Sequence, residues 1–205
     1  MQRYEIATLT TTLGAAAKAA PAIESFCGEG GARGRLLGCW STELGPLNQL
    51  LVLRGFDTAE DLTLERQRVL DTTSPFGCAE WLTAMELDSY IPFPGFPPVQ
   101  PGAFGKVYEI RTYRLKPGGL PQTVAAWQRA VPTRRELSPL TIAMHAVDGP
   151  PRFTHIWPYA SLEARGAIRA EAIARGIWPP PGGPAWLTGD MRSTIGLPTA
   201  QSPLH

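Results

Sequence analysis

Apolar and polar positions alternate at every second residue in some stretches of this chain and recur at every third or fourth in others. The two periods take turns. Residues 3–12 form an extended run rich in Thr, Ile and Leu, which predicts a strand. An alanine-rich stretch follows from Gly14, with Ala16, Ala19, Ile23 and Phe26 at helical spacing, and the glycines between 28 and 34 stop it. Residues 35–43 and 48–54 predict two strands around the turn Leu44-Gly45-Pro46-Leu47. Asp57 or Thr58 caps a helix running to about Leu70, and residues 81–90 predict a last strand.

The second half repeats this order. Residues 106–116 read as a strand, and Pro117-Gly118-Gly119 turns the chain. Leu120, Val124, Trp127 and Val131 then form a helical stripe. Residues 141–147 and 152–157 flank the turn Asp148-Gly149-Pro150-Pro151, Ser161 caps a helix through Arg175, and residues 187–197 close the unit. Identities accompany the pattern. Tyr4-Glu5-Ile6 returns as Tyr108-Glu109-Ile110 and Gly45-Pro46 as Gly149-Pro150, both 104 residues on. Arg66 returns as Arg169 at 103, and Trp81-Leu82-Thr83 as Trp186-Leu187-Thr188 at 105. Colinear matches that drift by a residue are what small insertions in a duplicated unit produce.

Each copy therefore reads βαββαβ, a ferredoxin-like α+β module. The expected division is a first module over 1–91, a Pro/Gly-rich linker over 92–105 and a second module over 106–205. A four-stranded sheet with helices on one face leaves its other face bare. Two fused modules can cover each other's bare faces, as a sandwich or barrel, which makes the chain a pseudo-dimer of itself.

Composition narrows the function classes. With 43% apolar and 18% charged residues the chain fits a soluble globular protein. Nineteen Lys and Arg against 18 Asp and Glu leave a net charge of +1, which gives no general attraction to nucleic acid or to an anionic membrane. Three scattered cysteines without metal or redox spacing suggest free thiols in a reducing compartment, so a cytoplasmic location is expected, with no metal and no cofactor. No nucleophile elbow or phosphate-binding glycine loop occurs, since the glycines at 28, 30, 31 and 34 follow a helix.

The segment Val107-Tyr108-Glu109-Ile110-Arg111-Thr112-Tyr113-Arg114-Leu115-Lys116-Pro117-Gly118 resembles the opening strand and Pro-Gly turn of NIPSNAP domains. Ile156-Trp157-Pro158-Tyr159 before Arg165 and Arg169 is similar to that family's Trp-x-Tyr segment, and Gly45-Pro46-Leu47-Asn48 to its Gly-x-x-Asn turn. The resemblance implies two fused modules closed into an intramolecular dimeric α+β barrel. It implies no defined reaction. Distant relatives of that fold include cofactor-independent monooxygenases and haem binders, an analogy of fold only.

Candidate chemistry centres on the second copy. Alternation puts Tyr108, Ile110 and Thr112 on one strand face and Glu109, Arg111 and Tyr113 on the other. The more apolar row is expected against the helices, and the polar row toward the space between the modules, where it would bind an anionic or polar small molecule. The competing reading is a set of structural ion pairs. His155, between Phe153 and Trp157 on one face, is the candidate proton-transfer residue, with His145 and Trp157 as further ligand contacts. A packed core histidine is the plainer alternative. Arg66 and Arg169, at matched helix positions, are expected to be structural, on a solvated helix face with a salt bridge near Glu60 or Glu163, rather than an anion site, and His205 to be disordered.

Three functions follow. The leading one is a binder of a small polar or anionic organic molecule between the sheets, with acid/base chemistry by His155. The second is a non-catalytic interaction protein with a packed interior. The third, by fold analogy, is haem binding through His145 or His155, or cofactor-independent oxygenation. A homodimer of the pseudo-dimer is a further expectation.

Overall fold

In a computed structural model, which describes residues 1–205, the expected order of elements holds through both halves. The first half runs β1 (Arg3–Thr11), α1 (Ala16–Gly28), β2 (Arg35–Leu44), β3 (Gln49–Phe56), α2 (Ala59–Asp71) and β4 (Leu82–Pro92). The second runs β5 (Val107–Leu115), α3 (Leu120–Arg134), β6 (Ile142–Ala146), β7 (Arg152–Tyr159), α4 (Leu162–Ala174) and β8 (Leu187–Pro198). Local chemistry sets the boundaries. The Thr58 hydroxyl accepts from the Asp61 N–H at 3.0 Å, and the Ser161 hydroxyl accepts from the Ala164 N–H at 3.1 Å, so matched caps start α2 and α4. Asn48 turns the chain between β2 and β3 at φ 56°, a left-handed conformation that asparagine tolerates.

Each half forms an antiparallel sheet, in the order β4-β1-β3-β2 and β8-β5-β7-β6. The two join edge to edge. Trp40 to Leu44 of β2 pair with Pro198 to Ile195 of β8, and Tyr90, Ile91 and Pro92 of β4 pair with Ala146, His145 and Met144 of β6. All eight strands therefore close into one barrel with no free edge. The expectation that the linker begins at residue 92 needs correcting, because Pro92 still lies in the ladder and helps to seal one seam. No helix is long and apolar enough to cross a membrane.

Closure buries both faces of the central strands, so β3 and β7 are covered over seven of their eight residues. Tyr4, Ile6, Leu51, Leu53, Tyr108, Ile110, Met144 and Ile156 point into the barrel. Ala7, Leu9, Leu50 and Val52 meet α1 and α2 outside it, and Phe153, Trp157 and Tyr159 meet α3. One end of the barrel is plugged. Val99 of the inter-module segment and Leu204 pack on Tyr4, Trp40 and Tyr108, and Val99 donates its N–H to the Tyr4 hydroxyl at 3.2 Å. His205 is tied down rather than loose: its N–H donates to Gly102 O at 3.1 Å, and its carbonyl accepts from the Phe104 N–H at 2.6 Å.

Candidate functional site

The opposite end of the barrel holds a chamber of about 950 Å³. Its wall combines Ile6, Leu51, Tyr90 and Ile110 with Thr8, Gln49 and Thr112, and the matched turns at Pro46 and at Gly149-Pro150 frame its mouth. Along its wall, three hydroxyls from three strands form a chain, of which Thr112 and Tyr90 line the chamber and Thr154 is buried between them. The Thr112 and Thr154 hydroxyls lie 2.7 Å apart, and Thr154 reaches the Tyr90 hydroxyl at 3.2 Å. This row crosses from the first half to the second. Burial, reinforced by nearby Asp88, pushes the Tyr90 phenol up to about 12, so it stays protonated at neutral pH.

The mouth is charged but balanced: Arg66, Arg114, Arg152 and Arg192 face Glu86, Asp88, Asp148 and Asp190. Arg152 bonds Asp88 at 2.9 Å and Asp148 at 3.1 Å, which links the two halves. Burial opposes ionisation of Asp148, yet the Ser89 N–H and the Arg152 guanidinium outweigh it and keep its carboxyl below the usual range. A chamber with an apolar and hydroxyl-bearing interior beneath a zwitterionic rim suits an amphipathic molecule better than a bare anion.

The residues singled out in the sequence come together, but elsewhere. Glu109 stands opposite Trp157 and Arg111 opposite His155 across β5 and β7, and His145 lies on neighbouring β6, so all six share one sheet patch. That patch faces the helices. Glu109 bonds Arg165 and Arg169 of α4, and His155 packs on Trp127 of α3 with ring centroids 4.7 Å apart. The expectation that Glu109, Arg111 and Tyr113 face the space between modules is thus reversed. The barrel takes the apolar row of β5, and the charged row finds its partners beneath α4. Arg66 and Arg169 likewise pair with Glu5 and Glu109 rather than near Glu60 and Glu163.

His155 is 2% exposed, and burial, then the Arg111 charge, push its pKa down to about 3. Its neighbour on the strand, Thr154, turns to the barrel side and bonds Tyr90 instead. A haem in the chamber would find no axial imidazole there, since His145 and His155 lie on the other sheet face. The residues that sequence reasoning missed are Tyr90, Arg152 and Thr154. One signal was present: Arg152 stands where Asn48 follows the Gly-Pro turn of the first half.

Comparison with known proteins agrees with this architecture. A family model described as NIPSNAP matches twice, over residues 4–89 and 108–203. A protein of Dictyostelium discoideum described as a NipSnap homolog is 28% identical over 145 residues, which cover 69% of this chain and 65% of that protein. The chain thus spans less than two thirds of that relative's length. Among solved structures, a candidate monooxygenase of Lactobacillus acidophilus NCFM is similar with a TM-score of 0.67 at 12% identity, covering 97% of this chain and 94% of that one. An anthrone oxidase-like protein is similar at 0.64 and 12%, covering 97% and 91%. At such identities these two show a shared fold alone.

Proposed function

The chain belongs to the NIPSNAP family, and from that premise we propose that it binds a small amphipathic organic molecule in the barrel chamber. The ligand's apolar body lies against Ile6, Leu51 and Ile110. A polar group of the ligand meets the hydroxyls of Thr112 and Tyr90, which Thr154 joins from behind, and the ion pairs of Arg152 bound the way in. The observation that carries this reading is the chamber itself, about 950 Å³, whose wall sets Ile6, Leu51 and Ile110 beside hydroxyl groups and balanced charges. A volume of that size accommodates a molecule of several rings or a branched chain. The hydroxyl chain spans both halves, so the duplicated unit supplies the site only when the barrel is closed.

Binding rather than acid/base catalysis is the reading these groups favour. Tyr90 is held protonated, and the imidazole of His155 is on the far side of the sheet. Titration with the fluorescent amphiphile anilinonaphthalene sulfonate tests the chamber. Saturable binding to the folded chain, lost in Thr112→Trp while the variant still melts cooperatively, is expected. Equal binding by Thr112→Trp would place the probe elsewhere and refute the reading.

A further inference from the structure

The two halves treat one matched glutamate differently. Glu5 and Glu109 stand 104 residues apart at equivalent points of β1 and β5, and both are wholly covered on the helix side. In the first half a second buried carboxylate, Glu65, shares the space. Arg54 bonds Glu5 and Glu65, Arg66 bonds Glu5 and Asp148, and Arg68 bonds Glu65 and Glu29. Three guanidiniums therefore meet four carboxylates.

The second half lacks that balance. The offset of 103 that relates Arg66 to Arg169 sets Ile168 where Glu65 stands and Arg165 where Leu62 stands, and Arg111 replaces Ala7 at 104. Glu109 alone receives Arg111 at 2.6 Å, Arg165, and Arg169 at 3.5 Å, and none of these three arginines has another carboxylate partner. Buried Arg134 adds a fourth cation close enough to sense Arg169 and Glu109, yet its partners are the hydroxyls of Ser138 and Tyr159. Like charges in partly desolvated space repel each other. In addition, Nε of Arg165 is buried without an acceptor. The cluster is short of negative charge and of acceptor oxygens.

We propose that this cluster, between β5 and α4 on the outside of the barrel, binds the oxyanion group of a small molecule, a phosphate or a carboxylate. The group supplies the second negative charge that Glu65 supplies in the first half. The side chains of Arg111, Arg165 and Arg169 are 17, 25 and 31% exposed, whereas Glu109 beneath them is closed to solvent. Planar guanidiniums present paired donors that match such oxygens, and the Tyr113 hydroxyl, which accepts from Arg111 Nε, keeps its own proton to donate. Because the chamber lies across the sheet, this site is independent of the ligand proposed there.

Isothermal titration of the full chain at low ionic strength tests the site, with inorganic phosphate in one arm and acetate in the other. Saturable binding at millimolar concentration or below is expected in at least one arm, and the arm that saturates identifies the oxyanion. Arg165→Gln should weaken it about tenfold, the worth of one charge-assisted hydrogen bond. Ile168→Glu, which supplies the missing carboxylate from within, should abolish it, while the chamber variant Thr112→Trp leaves it unchanged. Should Ile168→Glu fail to fold, Arg165→Gln and Arg169→Gln decide the matter together. No saturation in either arm, or saturation that these variants leave intact, overturns the proposal.

Discussion

Trp157 donates its indole N–H to Nδ1 of His155 at 2.8 Å, which fixes the imidazole as the tautomer protonated on Nε2. That Nε2 is buried with no acceptor, among the rings of Tyr113, Trp127 and Phe153. The ring is therefore held neutral inside the fold.

This arrangement predicts a pH dependence. Burial moves the His155 pKa from 6.5 down to about 3, so on acidification the unfolded chain takes up the proton first. The stability that the neutral ring contributes is complete above pH 6.5 and is lost as pH falls toward 3. Urea unfolding between about pH 6 and about pH 4 should show a loss approaching 1.4 kcal/mol per pH unit. His145, also lowered by burial, adds a smaller share. His155→Gln, which keeps an acceptor for Trp157, should flatten most of that slope. A slope unchanged in the variant would mean that other groups cause it.

The buried pair of Glu5 and Arg54 gives a second expectation. Arg54 is 1% exposed and bridges Glu5 and Glu65, so Glu5→Gln leaves a guanidinium short of a partner in the first half's core. Removing one member of a buried pair costs about 3–5 kcal/mol, visible as a large fall in the urea midpoint. Glu5→Gln combined with Arg54→Met should cost less than the two changes added separately, because the second removes the stranded charge. Additive losses would show that the pair is not coupled.

Much of this fold can be read from the chain, and the reason is local. Caps at Thr58 and Ser161, the turns at Gly45-Pro46 and Gly149-Pro150, and the repeated Tyr-Glu-Ile strand each need only a few neighbouring residues to take shape. Which way β5 faces is different. A one-sided rule sends Tyr108 and Ile110 toward helices, but a closed barrel buries both faces, so polarity along one strand does not say which side is which. The partners that settle Glu109 come from Arg165 and Arg169, 56 and 60 residues further on. The chamber is similarly nonlocal: Tyr90 meets Thr154, and Asp88 meets Arg152, each across 64 residues and from opposite halves.

The seam between β2 and β8 rests on missing side chains. A methyl group at Gly38 would stand 2.2 Å from the Trp40 ring, and one at Gly196 would stand 2.7 Å from Trp40 Cβ. The indole, 1% exposed, fills the space that both glycines leave. Gly38→Ala should destabilise by about 1–3 kcal/mol, the usual cost of overpacking a filled core. Trp40→Leu in the same chain should recover part of that loss in thermal melting, since it withdraws the ring from the new methyl. A double variant less stable than the sum of the single changes would place the strain elsewhere.

The plug at the closed end yields the last expectation. Leu204 is fully buried against the barrel lining, and its carbonyl accepts from the Ser202 hydroxyl at 2.6 Å, while that hydroxyl accepts from the Cys39 N–H at 2.9 Å. The tail thereby ties β2 to the segment joining the modules through the bridge of Leu204 to Gly102. Leu204→Ala removes apolar contacts that the surrounding strands, fixed by ladders on both sides, cannot close over, so about 2–5 kcal/mol should be lost. Hydrogen exchange distinguishes a local plug from a general loss of packing. Amides of Val99, Gly102 and Cys39, which bond within this end, should exchange faster in Leu204→Ala, whereas those of β1 paired with β3 near Leu9 should keep their protection relative to the new global stability. Uniform acceleration at both ends would mean that the tail stabilises the barrel as a whole instead of sealing one mouth.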